Sequence, residues 1–307
     1  MSLNNFIPQL WADTILAALQ VQLVYGNLFN DDYEGQLKQM GDTVRINAIG
    51  DVTVYDYTKD TDINAPQSMT DAQTMLTISN AKYYNVAIDD VDRAQAHPDA
   101  YAEMIRWAGY KLALTMDKFY AGFYTDAVNL IGTSSSFQTV SVPTSANVGG
   151  GTTFYDYLVF MGQKLNEQAV PEDSGRWCVV PPWGKTLLMQ DIRFTSFNTD
   201  AGRQAILTGK LDAAGGNAQE GYIGMIDGMS VYKSLNAPHL GGTVGIAGSQ
   251  DVVLAGHKMA VTKAEGLNET EAYRPPYRFS DAVKSLVLYG AKTVRPYALC
   301  AAYLQHP

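Results

Sequence analysis

Acidic residues are the first candidates for chemistry. Asp89, Asp90 and Asp92 stand together just ahead of an apolar-periodic stretch. A calcium loop would need a glycine turn and a distal Glu, and neither follows. At the start of a helix such carboxylates complement the macrodipole, so capping is the reading adopted. His257 precedes Glu265, Glu269 and Glu271, without the His-Glu-x-x-His of a zinc protease helix. Gly228-Met229-Ser230 lacks the second glycine of a nucleophile elbow. Gly149-Gly150-Gly151 has no Gly-Lys-Ser/Thr after it and is not a phosphate loop. Cys178 and Cys300 lie in apolar, strand-like runs and read as buried free thiols; a disulfide framework or zinc site needs more cysteines, closer together. Asn268-Glu269-Thr270 is a glycosylation sequon with no secretion signal to make it relevant. No catalytic, cofactor or metal site converges. The chain reads as non-enzymatic, with an enzyme built on its second half as a distant alternative.

The element that organises the rest runs from Asp99 to about Ile131, opened by His97-Pro98. Tyr101, Ile105, Ala108, Leu112, Thr115, Phe119 and Phe123 step by three or four residues and share one helix face. Gly132 and the Ser/Thr run after it are expected to end the helix. Such a helix is roughly 50 Å long, against a radius of gyration of about 19 Å for a compact chain of this size. It would cross the whole body as a spine. Trp107, Tyr110, Leu114 and Tyr124 make the opposite face apolar too, covered either by the chain's own sheets or by a neighbouring subunit.

Composition narrows the partners. The 307 residues carry a formal charge of −9, 17% charged residues and 46% hydrophobic ones, with no Lys/Arg run. That excludes a dedicated nucleic-acid binder, yet suits a wall that encloses nucleic acid without gripping it. Nineteen Tyr are the kind of residue that half-buried interfaces collect. No apolar run reaches the length of a membrane span and no leader pattern opens the chain, so a cytosolic protein is expected.

Taken in order, residues 4–25 form an amphipathic helix with Trp11, Ile15, Leu19 and Leu23 in line, docked on its own body or on a neighbour. Turn residues break it between Gly26 and Gly35. From Asp42 the period becomes two: Val44, Ile46 and Ala48 alternate with polar residues, and Val52–Tyr57 continue the strand. Met75–Ser79 and Tyr83–Ile88 are the return strands of a long hairpin, whose polar tip spans Thr58 to Ala72. Each arm reaches roughly 40–50 Å. An isolated ribbon is marginal in water, so it folds back on its own domain or lies across another subunit.

Residues 133–153 are a loop or small β excursion. A second domain begins at Thr152: a helix through Phe154, Leu158, Met161 and Leu165, a buried strand Arg176–Val180, and a helix opened by Pro181-Pro182. Residues 198–220 are a candidate mobile loop, and 221–238 a strand with close glycines. Val252–Leu254, Met259–Val261, Ser285–Tyr289, Lys292–Val294 and Tyr297–Leu304 complete the expected strands.

With these residues laid out, the chain resembles tailed-bacteriophage major capsid proteins of the Hong Kong 97-like fold. FIPQLWADTIL resembles the family's start, residues 26–60 its N-arm running into an extended loop, GYIGMIDGMSVYKSLNAP its axial strand, and VLYGAKTVRP its last peripheral strand pair. The resemblance implies an α+β fold with a spine helix, an extended β-hairpin loop, and peripheral and axial domains. The expected division is an N-terminal arm 1–41, the extended loop 42–90, a peripheral domain 91–151 with 265–307, and an axial domain 152–264. It implies self-assembly into pentamers and hexamers of an icosahedral head shell around double-stranded DNA, in the host cytoplasm and then the virion. Scaffolding and portal proteins would be separate chains; no cofactor and no membrane are implied. The candidate subunit contacts are Trp11, Tyr57, Lys59, Asp60, Asp62 and Asp71. An encapsulin-like compartment shell is the alternative.

Overall fold

The computed structural model describes residues 24–32, 42–49, 53–57, 59–60, 62, 65, 71–89, 99–143, 152–173, 175–191 and 221–307. The expected helix before Val24, with Trp11, lies outside them, as do Asp90, Asp92, the triple glycine and residues 198–220.

The body is an eight-stranded sheet built on continuous apolar runs. Its central strands are β6 (Arg176–Val180), β10 (Gln250–His257) and β13 (Leu299–Gln305), buried almost throughout. Strands covered on both faces read as unbroken hydrophobic runs rather than alternating ones. With β4 (Asn129–Ile131), β5 (Gln138–Thr139), β7 (Tyr222–Ile226), β8 (Met229–Lys233) and β9 (His239–Gly241), the order is β4-β13-β10-β6-β8-β7, with β5 beside β13 and β9 beside β10. Helix α3 (Phe154–Glu167) starts with a capping box between Thr153 and Asp156 and buries Phe154, Leu158, Met161 and Leu165, as their spacing predicts. Helix α4 (Pro182–Gln190) follows with Pro at its start, and its Trp183 ring meets Phe154 at 5.3 Å.

The second layer is a three-stranded sheet, β11 (Val261–Tyr273), β12 (Ser280–Thr293) and β3 (Asn80–Asp89), in that order. Expected strands Ser285–Tyr289 and Lys292–Val294 are one continuous β12, and its partner β11 is an element that the sequence reading did not assign. The spine helix α2 (Asp99–Ala121) lies on this sheet, where Phe119 and Tyr120 meet Tyr289 at 5.2 and 6.3 Å.

Three expectations are corrected. The spine helix has 23 residues, about 35 Å, and does not run on to Ile131. It tightens into a 3-10 turn at Gly122–Asp126, and Asn129–Ile131 becomes β4. The cause is tertiary: β4 pairs in parallel with β13, and the Asn129 amide donates to the carbonyls of Tyr297 and Leu299 at 2.7 and 3.2 Å. The helix also buries Leu112, Ala113, Met116, Asp117 and Tyr120, while Thr115, expected on the apolar face, is exposed.

Among the described residues of the ribbon, β1 (Thr43–Ile49) and β2 (Asp71–Thr77) pair, from Thr43 opposite Thr77 to Ile49 opposite Asp71. Tyr83–Ile88 belongs to β3 and pairs with β12 instead, and 53–57 are not strand. Lastly, 221–238 is a hairpin rather than one strand. Asp227 and Gly228 turn it with φ of 49° and 71°, the twist that a tight two-residue turn requires.

Candidate assembly surfaces

The ribbon is anchored at its base. Leu76 and Ile78 are fully buried in a small core with Ala264 and Leu288, flanked by Val44, Ile46 and Leu286. Contact is close enough that a Cβ added at Gly290 would meet the Thr77 carbonyl oxygen at 2.3 Å and Ile78 Cα at 3.0 Å. Farther out, Val54, Tyr55 and Tyr57 are exposed, Val54 to 91%. Lys59, Asp60 and Asp62 are exposed at the tip, with Asp60 at φ 65°. Asp71 starts β2 opposite Ile49. So Tyr57, Lys59, Asp60 and Asp62 share one outward segment, while Trp11 lies outside the described residues.

A second outward tip joins β11 to β12. Tyr277 and Phe279 are 97% and 80% exposed there, beside Arg274 and Arg278. Its strands are braced side chain to side chain: Lys284 to Glu271 at 2.7 Å, and the Asn85 amide to the Tyr273 hydroxyl at 2.8 Å. Rigid hairpins carrying exposed aromatic rings are contact surfaces in search of a partner. The sequence reading missed this tip, although Pro-Pro-Tyr-Arg-Phe between two strands is a readable signal.

The short helix α1 (Tyr25–Leu28) is bolted to the body. Asp117, fully buried in α2, accepts the N–H of Val24 at 3.1 Å and of Tyr25 at 2.9 Å through Oδ1, while Oδ2 accepts the Asn236 amide at 2.7 Å. Burial pushes its carboxyl above the ordinary range, against the pull of those hydrogen bonds. Phe29 packs among Tyr120, Phe123 and Trp177, and Asn30 bridges to Thr262. An acidic residue on the apolar face of a helix, between Met116 and Tyr120, was the available signal for this site.

Chemistry-bearing clusters are spent on structure. The Asp251 carboxylate binds His239 Nδ1 at 3.0 Å, and accepts from Ser249 Oγ and Trp183 Nε1, both at 2.7 Å. The serine hydroxyl thus donates to the acid, and His239 Nε2 faces the Gly242 carbonyl at 3.0 Å. That arrangement activates no nucleophile. The Asp251 bond and Gly242 carbonyl raise the His239 pKa above its ordinary value. His257 meets Asp173 at 2.8 Å, while Glu265 is held by Lys263 and Tyr120, and Glu271 by Lys284. Among the described residues no group of three or more His, Cys, Asp or Glu could hold a metal. Both cysteines are buried and free, and burial pushes the Cys300 thiol up to about 12.

The sequence profile of the phage capsid protein family matches residues 72–302. The chain belongs to the phage capsid protein family. This capsid protein is similar to a solved chain from Mycobacterium phage Che8 over 98% of each chain, at 26% identity and a TM-score of 0.68. It also resembles the capsid of cyanophage P-SCSP1u, at 17% identity and TM-score 0.61 over 93% of this chain and 89% of that one. The mature capsid of bacteriophage PhiM1 is a third relative in fold, at 19% and 0.57 over 90% and 87%. No curated protein sequence matches. The α+β fold is thus the Hong Kong 97-like capsid fold that the resemblance implied. The protein is a major capsid protein of the phage head shell, a structural component of the virion and not an enzyme.

Proposed function

We propose that copies of this capsid protein assemble as pentamers and hexamers into an icosahedral head that encloses double-stranded DNA without binding it specifically. One observation carries the reading. The β1–β2 ladder ends at Ile49 opposite Asp71, and beyond it Val54, Tyr55 and Tyr57 stand exposed. Exposed apolar side chains beyond the end of a two-stranded ladder are stabilised when a neighbour covers them. Tyr57, Lys59, Asp60, Asp62 and Asp71 are the proposed contacts there, with Trp11 on the arm.

The proposed architecture divides the chain into an arm 1–41, an extended loop 42–90, a peripheral domain 91–151 with 265–307, and an axial domain 152–264. The cut at 264 falls inside β11, and β13 pairs with β10 over seven residues, so the two proposed domains share sheet hydrogen bonds. A net charge of −9 without a basic run supports a DNA-facing wall that repels more than it grips. Scaffolding and portal functions fall to separate chains. The test is to express the protein with its scaffold: closed particles, or free pentamers and hexamers, are expected on sedimentation. A monomer under every assembly condition overturns the reading.

A further inference from the structure

Two stretches of this chain carry no Asp, Glu, Lys or Arg: 127–155 and 234–250. They are far apart in sequence, and β13 brings them side by side. Its Gln305 pairs with Thr139 on one side and Gln250 on the other. Beyond the ladder, Val140 N–H donates to the Gln305 carbonyl at 3.1 Å. Gly248 N–H donates to the His306 carbonyl at 2.9 Å, and His306 N–H to the Ser249 carbonyl at 2.8 Å. At this end of the eight-stranded sheet, 138–142 and 239–250 hold no Asp, Glu, Lys or Arg, in a chain of net charge −9. His239 and His306 are the titratable side chains there, and the Asp251 carboxylate that meets His239 and Ser249 is buried.

That end is also aliphatic and stiff. Val142, Leu240, Val244 and Ile246 are all exposed, Val244 to 68% and Ile246 to 59%. Solvated loops are ordinarily polar and mobile, but the 239–249 loop is shaped from within. Its His239 ring spans Asp251 and the Gly242 carbonyl, 3.0 Å from each. Ile246 N–H donates to the Thr243 carbonyl at 3.3 Å, and Ser249 N–H to the Ile246 carbonyl at 2.9 Å. Gly242 sits at φ 78°, where an added Cβ would meet the Gly248 carbonyl oxygen at 2.6 Å.

We propose that this end of the sheet, whose segments 138–142 and 239–250 carry no acidic or Lys/Arg side chain, is a contact face for a second copy of this chain. The inference rests on the shell reading and names one of its surfaces. Electrostatics select the partner. Two acidic copies repel over most of their surface, and they meet at least cost where no ion must be desolvated. A loop already fixed by its own hydrogen bonds loses little further freedom on docking, so its aliphatic side chains contribute nearly in full.

The experiment compares wild type with the double variant Val244→Asp, Ile246→Asp, under identical assembly conditions with the scaffold. Thermal melting of the unassembled subunit and particle yield by sedimentation are both read. The variant subunit should melt within a few degrees of wild type, and its particle yield should fall at least tenfold. Hydrogen exchange of wild type provides the second measurement, so a variant that fails to fold does not decide the matter. Amides of 242–248 should exchange at least tenfold more slowly in particles than in free subunits. Wild-type yield reports the shell reading by itself: without wild-type particles both readings fall. With wild-type particles, an unimpaired double variant, or unchanged exchange at 242–248, overturns this inference alone and leaves the face to another partner.

Discussion

Asp117, near the C-terminal end of the spine helix, accepts the backbone N–H of Tyr25, 92 residues earlier, at 2.9 Å inside the core. Its other oxygen holds Asn236 at 2.7 Å. A single carboxylate therefore ties Val24 and Tyr25 to the spine helix, and both to the loop after β8.

Replacing Asp117 by Leu leaves two backbone donors and an amide without an acceptor. The expected cost is about 3 kcal/mol or more. Asp117→Asn keeps an acceptor for the two backbone donors and should cost about 1 kcal/mol. The pH dependence separates charge from shape. Burial raises the folded-state pKa, so folding favours the protonated acid. Its contribution is full below the ordinary carboxylate range, near pH 4, and is lost as pH rises through the raised value. The groups facing it are Tyr25, Ser234 and Asn236. Urea midpoints between pH 4 and 8 should fall more steeply for wild type than for Asp117→Asn, and equal slopes would contradict the assignment.

His239 gives the second pH signature. Its pKa is raised by the Asp251 hydrogen bond, with help from the Gly242 carbonyl. The imidazolium clip is fully present below the unfolded histidine value, near pH 6.5, and fades as pH rises through the raised folded value. Hydrogen exchange at 242–248 in the free subunit should quicken over that window, and in His239→Gln it should not change with pH beyond the intrinsic rate. A wild-type loop with the same flat profile would contradict the clip.

Gly290 tests the ribbon's anchor. A methyl there meets the backbone of Thr77 and Ile78, not a flexible side-chain end, so relief requires the ribbon base to shift. Gly290→Ala should destabilise the subunit by about 1–3 kcal/mol and expose the Leu76 core to solvent. A melt unchanged from wild type would mean that the ribbon base is not seated on β12.

How much of this was legible follows from what each signal measures. The spine helix shows in the spacing of Ile105, Leu112 and Phe119, because local periodicity reports a local structure. Its end does not show: Asn129 leaves the helical run because Tyr297 and Leu299 offer carbonyls nearly 170 residues away. The alternation of Tyr83–Ile88 marks a strand correctly, yet nothing local says that its partner is β12 rather than β1. Strand β11 was missed because Thr262–Glu271 mixes charges and a glycine, and a bulge at Leu267/Glu269 interrupts its period. By contrast, Asp227-Gly228 was a readable turn signal that divides 221–238 into two strands. The proposed contact residues at the ribbon tip, Lys59, Asp60, Asp62 and Asp71, stand out in the sequence as charged residues between two alternating arms. Asp117 and the 239–249 loop matter through partners that only the fold supplies.

The central claim is that the ribbon holds neighbouring subunits together while adding little to its own subunit's core. Its most direct test is particle yield, measured by sedimentation after residues 60–70 are replaced with a short Gly/Ser turn. The account predicts a free subunit that melts within a few degrees of wild type, because Leu76 and Ile78 keep their seats on β12, and a sharp loss of particles. A shortened subunit that assembles as well as wild type, or that cannot fold alone, would contradict it.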